Sequence, residues 1–280
     1  MNNKFTALVL LIPILLVSTT CGIGKKRIII AGSSTDEALI QLIGQEFSKK
    51  HNKSIQYIPS GSLQGIKMLM DGKCEMVVSP LKISNEQAWD AQKKGIAIKE
   101  FIIAYDAMVI IVNKSNSVKN LFLGQISDMF TGLLKNWGNA GDFKGDITVV
   151  ELSDNSGTQN IMHDRFFESS SIAKNNVIVK SHKAVVSYVG AHKTAIGYIS
   201  RVFLDNTVKV LKINSFDPSD DNIAKGYYPL KREVYIYIKD KAYQGSVKEF
   251  IDMILAKNGQ SLIKKSGLIP VQDITGNITK

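Results

Sequence analysis

Three short stretches of the chain carry residue types that could hold an anion: Gly32-Ser33-Ser34-Thr35, Ser60-Gly61-Ser62 and Asn155-Ser156-Gly157-Thr158. Each combines hydroxyls with a glycine. The third is the clearest: the β-branched run Ile147-Thr148-Val149-Val150 leads into it, and Ile161, Met162, Phe166 and Phe167 follow at helical spacing. A strand that enters a helix through such a turn leaves the first N–H groups of the helix unpaired, at the positive end of its dipole. That end attracts negative groups, and glycine lets the backbone approach them closely. Ser, Thr and Asn are also ordinary helix caps, so one such turn implies little. Three of them after strands suggest a shared site, because ligands of open α/β sheets gather beyond the carboxyl ends of the strands. Spacing alone does not show that the three meet.

Other chemistries are poorly represented. No G-x-x-x-x-G-K-[ST] loop and no G-x-G-x-x-G fingerprint occurs, which argues against a nucleotide-binding enzyme. The four histidines (His51, His163, His182, His192) lack zinc spacing and read as surface or packing residues. Ser156 lacks the G-x-S-x-G elbow of a nucleophile, and no acid–base pair is visible. Cys74, in the apolar run CEMVVS, reads as a small core residue.

The formal charge of +10 is spread along 280 residues without a basic block. It fits a solvated lysine-rich surface, or attraction of an anionic ligand or acidic surface. Nothing in it has the interleaved basic and aromatic pattern of a nucleic-acid binder.

Strands and helices alternate along the chain. Strands are expected at Arg27–Ile30, Ile55–Ile58, Cys74–Val78, Ile96–Ala104, Ala107–Val112, Val177–Val179, Ala195–Ile199, Val208–Ile213 and Val234–Ile238. Helices are expected after each candidate turn, at Asn85–Lys94, Lys183–Val189 and Val247–Lys257. This is the pattern of βαβ units and mostly parallel sheets. There are too many strands for one compact sheet, so two α/β lobes are expected, with crossings near Ala104–Ala107 and Lys231–Val234.

At the N-terminus, Phe5–Val17 is a 13-residue apolar run behind Lys4. It falls short of the roughly 20 residues that span a bilayer and suits an export signal. Ser18-Thr19-Thr20-Cys21 follows and resembles a bacterial lipoprotein signal, with Ser18 where leucine is usual. Residues 1–20 then form the signal peptide, Cys21 is the lipidated residue, and 21–26 tether the protein to the membrane surface. The alternative is plain cleavage and release. With Cys21 acylated, only Cys74 remains and no internal disulfide can form.

Seven motifs occur in order: Gly32-Ser33-Ser34-Thr35, Gly61-Ser62-Leu63-Gln64-Gly65-Ile66-Lys67, Ile103-Ala104-Tyr105-Asp106, Phe130-Thr131-Gly132 with Asn136-Trp137, Ser156-Gly157-Thr158, Ala195-Ile196-Gly197-Tyr198, and Tyr228-Pro229-Leu230. Together, over about Arg27 to Pro270, they resemble the PstS family, the extracytoplasmic phosphate receptors of ABC transporters. The resemblance implies an α/β, two-lobed type II periplasmic-binding-protein fold with two hinge crossings and a ligand cleft between the lobes. Lobe 1 would comprise 27–106 and 232–280, and lobe 2 would comprise 107–231. It implies binding without catalysis or cofactor, closure on the anion by hinge motion, and delivery to permease subunits by a monomer that binds no nucleic acid. The protein would face the periplasm or cell surface, lipid-anchored to the bacterial membrane.

By the same resemblance the phosphate ligands fall on Ser34, Thr35, Asp36 (through its backbone N–H), Ser62, Ser156, Gly157 and Thr158. Two departures stand out. Leu152 and Gln159 occupy positions where many members carry an arginine, so no balancing cation is assigned and Gln159 is a candidate donor. Pro80 follows Ser79 where some members have the aspartate that accepts the phosphate proton and repels sulfate. Asp36, Asp106 and Asp154 are the candidate substitutes. A receptor for sulfate, molybdate or a small organic acid, and a surface adhesion lipoprotein on the same fold, are the alternative readings. A hydrolase is disfavoured by the missing base and metal ligands.

Overall fold

The computed structural model describes residues 27–153, 156–167 and 176–271. The expected signal segment, Cys21, the tether, Asp154 and Asn155 lie outside the described residues.

The first half is a run of strand–helix units: β1 (Arg27–Gly32), α1 (Glu37–His51), β2 (Ser54–Ile58), α2 (Ser62–Met70), β3 (Met76–Ser79) and α3 (Asn85–Lys93). Leu39, Ile40, Ile43 and Phe47 of α1 are buried on one face, the amphipathic spacing that makes this segment a helix. Asn52, left-handed at φ 47°, ends it. α3 opens with a capping box between Ser84 and Gln87.

The two extended segments expected at Ile96–Ala104 and Ala107–Val112 are one 16-residue strand, β4 (Ile98–Asn113). Its first half pairs antiparallel with β11 (Lys231–Lys239), and its second half pairs antiparallel with β8. Between these strands lie β5 (Asn120–Leu121), α4 (Leu123–Thr131), β6 (Thr148–Leu152), α5 (Gly157–Phe166), β7 (Val177–Val179), α6 (His182–Ala191), β8 (Ala195–Ser200), β9 (Val208–Val210), β10 (Lys212–Ile213) and α7 (Asp220–Ala224). After β11 the chain closes with α8 (Gly245–Leu255), α9 (Lys257–Lys265) and β12 (Ile269–Pro270). The spatial order is β2-β1-β3-β11-β4-β8-β6-β7.

Although β4 runs through both halves of the sheet, the apolar residues divide. One core holds residues from Ala107 to Leu230, joined by Ile269. Two others hold Ile28–Ala104 and Val234–Leu268. The split falls on β4 and β11, the two strands that pass from one half of the protein to the other. β11 is buried on both faces from Val234 to Ile238 and so shows no clean alternation, and β4 is largely buried from Ile103 onward.

The expected single helix at Val247–Lys257 is two helices, broken where Ala256 turns extended (φ −72°, ψ 159°). Gly259 makes the corner, since a Cβ there would stand 2.1 Å from the Met253 carbonyl oxygen. Likewise the expected Val208–Ile213 strand divides into β9 and β10, which pair with different partners.

Candidate anion-binding cleft

The three hydroxyl-bearing turns face one cleft. β1 ends at Gly32, whose φ of +151° and close approach to β3 exclude a side chain: a Cβ would lie 1.9 Å from the Val78 carbonyl oxygen. Ser33 then donates its N–H to Val78 O (3.0 Å), and its hydroxyl accepts the Thr35 N–H at 3.2 Å. The Tyr57 hydroxyl donates to Ser33 O. Ser34 is exposed and Thr35 half-buried at the opening of the 3-10 turn Ser34–Asp36.

Asp36 departs from its expected role. Its backbone N–H donates to Ser33 O at 3.1 Å, closing the turn. What Asp36 brings is a carboxyl group only 2% exposed, whose Oδ2 has no hydrogen-bond partner among the described residues. Burial pushes this carboxyl up to about 7; Arg232 pulls it down and Asp106 pushes it further up.

The second turn positions Ser62. Gly61 (φ +82°) donates its N–H to Gly32 O at 2.8 Å, so the two turns of this half are tied backbone to backbone. The helix expected to begin at Ile66 begins at Ser62, placing that residue in the first turn of α2. Its hydroxyl is buried and has no partner among the described residues.

The third turn comes from the other core. Ser156 caps α5, its hydroxyl accepting the Gln159 N–H at 3.4 Å. Gly157 packs against Ser62: a Cβ on Gly157 would lie 2.8 Å from Ser62 Oγ. Thr158 and Gln159 follow, both buried. The first turns of α2 and α5 therefore abut, and both helix dipoles end at the same place.

The cleft has a volume of about 420 Å³. Ser33–Thr35 and Ser60–Ser62 line one side; Leu152, Ser153, Ser156, Gly157, Lys180, His182, Lys183 and Phe203 line the other. Asp36, Thr158 and Gln159, the last standing where the resemblance allowed an arginine, are buried behind these lining residues.

Behind the cleft wall lies a cation that the sequence reading missed. Arg232 of β11 sits opposite Asp106 of β4 in register, and both are 1% exposed. Nε and Nη2 of Arg232 donate to Asp106 Oδ2 at 2.9 and 2.6 Å, and Nη1 donates to Thr158 Oγ1 at 2.9 Å. Of five guanidinium donors, two have no acceptor among the described residues. Asp106 is heavily engaged: Oδ1 takes the Ala107 N–H at 2.7 Å, and Oδ2 takes the Ser200 hydroxyl at 2.7 Å besides the two Arg232 donors.

Arg232 lies 74 residues from Thr158 in the chain, so no local spacing could pair them. Arg232 lies in the charged run Lys231-Arg232-Glu233 just after Tyr228-Pro229-Leu230, so nothing local marks it as the buried one. A buried charge of that kind needs a partner.

A two-lobed α/β protein with helix N-termini from both halves meeting over a buried arginine is an anion receptor in its geometry. The comparisons agree: residues 19–258 match the PBP superfamily domain, and the chain belongs to that superfamily. It is similar to the phosphate-binding protein PstS of Bacillus subtilis, at 26% identity over 98% of this chain and 96% of that one. A phosphate ABC transporter substrate-binding protein from Clostridium perfringens, solved with bound phosphate, superposes with a TM-score of 0.79. It is 30% identical, and the match covers 88% of this chain and all of that one. An ABC-type phosphate transport receptor from Vibrio cholerae gives a TM-score of 0.78 at 26% identity, covering 86% of this chain and 99% of that one. The fold is that of the type II periplasmic binding proteins.

Proposed function

We propose that the protein captures inorganic phosphate in this cleft and hands it to the permease of an ABC transporter, as a binding protein and not an enzyme. The observation that carries the reading is the meeting of Ser62, Gly157 and Thr158 from the two halves, with Arg232 bonded to Thr158. In this reading Ser34, Thr35, Ser62, Ser156 and Thr158 give hydroxyl donors, and Gly157 gives its N–H. Arg232 adds the two donors it has not spent. Asp106 already neutralises Arg232, so the ligand's charge is met chiefly by N–H and O–H groups and two helix dipoles. Gln159 stays a supporting residue behind Ser156.

Phosphate near neutral pH retains a proton, which needs an acceptor. Asp106 is committed to Arg232, Ser200 and the Ala107 N–H, whereas Asp36 Oδ2 is buried and has no partner among the described residues. We assign the acceptor role to the Asp36 side chain. A fully ionised sulfate has no hydrogen to give an ionised Asp36, and that mismatch disfavours it in a desolvated site.

The lobes in this reading are 27–106 with 232–280, and 107–231, moving about β4 and β11. A lipid anchor at Cys21, a monomeric state and an extracytoplasmic location belong to the same proposal; among the described residues no helix is long and apolar enough to cross a membrane. Calorimetry of the ligand-free protein with phosphate, sulfate and molybdate tests the function. Saturable phosphate heat is the expected result, and its absence would remove phosphate as the ligand. Mass spectrometry of the mature N-terminus tests acylation of Cys21.

A further inference from the structure

We infer that His182 is a ligand-binding residue, its Nε2–H donating to an ionised oxygen of the anion held in the cleft; this rests on the reading that an anion occupies that cleft. His182 is the first residue of α6 and lines the cleft on the side of Gly157, facing the Ser33–Thr35 and Ser60–Ser62 turns. The ring is 8% exposed and stacks on Phe203, with centroids 4.6 Å apart and planes 7° from parallel. Its Nδ1 accepts the Ser200 N–H at 3.3 Å. An imidazole nitrogen that accepts carries no proton, so the ring's proton is on Nε2.

Nε2 has no hydrogen-bond partner among the described residues, and the cleft is the space this residue lines. Five residues therefore form one chain. His182 is fixed by Ser200, Ser200 donates to Asp106, Asp106 holds Arg232, and Arg232 holds Thr158. Burial pushes the imidazole down to about 3, Arg232 adds to that, and Asp106 opposes it. The ring is thus neutral, which is the form that can accept from Ser200. Nε2 is not among the buried unpartnered atoms, so it opens to the cleft that the residue lines. A neutral N–H donor also sets a preference: it donates best to an ionised oxygen of the ligand and cannot accept the hydrogen of a protonated one.

The test titrates inorganic phosphate into the full chain and into His182→Phe and His182→Gln, with the thermal midpoint of each ligand-free form measured alongside. Phenylalanine keeps the stack and removes the donor; it is expected to weaken phosphate about tenfold or more, the loss of one hydrogen bond to a charged ligand. Glutamine offers an amide N–H and is expected to recover part of that loss. In the unmutated protein, nitrogen-15 histidine NMR follows the Nε2–H signal, which is expected to shift at saturating phosphate while Nδ1 stays unprotonated. Parental affinity in His182→Phe would overturn the inference. So would an unshifted Nε2–H at saturation, a readout that stands even if both variants misfold. A parent that binds no phosphate would overturn this inference and the phosphate reading together.

Discussion

Arg232 and Asp106 face each other across β11 and β4, and the guanidinium grips a single carboxylate oxygen with two N–H groups, at 2.9 and 2.6 Å. The pair sits where both strands pass between the two cores, so one ion pair braces the crossing and also holds Thr158 of the third candidate turn. Arg232→Met leaves a buried, unpaired carboxylate and is expected to destabilise the protein by about 3–5 kcal/mol, with phosphate binding lost. Asp106→Asn frees the guanidinium for the ligand. Its expected signature is a lower ligand-free stability and a larger phosphate-induced thermal shift than the parent shows. Denaturation with and without phosphate measures both.

Thr158→Val removes the acceptor of Arg232 Nη1 and a hydroxyl donor at almost constant shape. The expected loss is ~1.5–3 kcal/mol of binding free energy, roughly 10- to 150-fold in Kd. Calorimetry measures it, and an unchanged Kd would take this turn out of the site.

Gly157→Ala puts a methyl group 2.8 Å from Ser62 Oγ and 3.4 Å from its Cβ. The hydroxyl must turn away or the two halves must separate slightly, and either outcome weakens phosphate. Because both residues act through one contact, the effects of Gly157→Ala and Ser62→Ala on Kd are expected to be non-additive. A double-mutant cycle reads this directly.

Asp36 makes stability depend on pH. Its folded-state value of about 7 lies above the usual carboxylate range, so the folded protein binds the extra proton. The contribution of this group is fully present below the unfolded value and declines as pH rises toward 7. Asp36→Asn does not titrate. It is therefore expected to gain roughly 2 kcal/mol on the parent between pH 5 and pH 8 in the absence of ligand. Urea unfolding at the two pH values checks this, and a constant difference would contradict it. The same variant is expected to bind phosphate more weakly.

Much of the site was legible from local chemistry. Each helix start carries its hydroxyls, glycine and free N–H groups within a few residues, so Ser34, Ser62 and the Ser156–Thr158 turn could be picked out of the chain before any contact was known. The α/β alternation and the two crossings near Ala104–Ala107 and Lys231–Val234 follow from hydrophobic runs and their lengths, which are equally local. The exact strand ends, the corner at Ala256 and the division of β9 from β10 were not legible, because packing partners rather than propensity decide them.

Only the tertiary structure could say what faces what. Arg232 meets Thr158 because two strands far apart in sequence are in register with Asp106 between them. Asp36 is one of three candidate acceptors in sequence; in the fold its backbone closes the turn and its buried Oδ2 has no partner among the described residues. His182 reads as an ordinary packing histidine until Ser200 and Phe203 are seen to fix its ring in the cleft wall. The sequence by itself determined which turns can attract an anion, since that is a property of a few consecutive residues. The charge balance, the acceptor and the fixed imidazole were decided by the fold, because each depends on burial and on pairings across long separations in the chain.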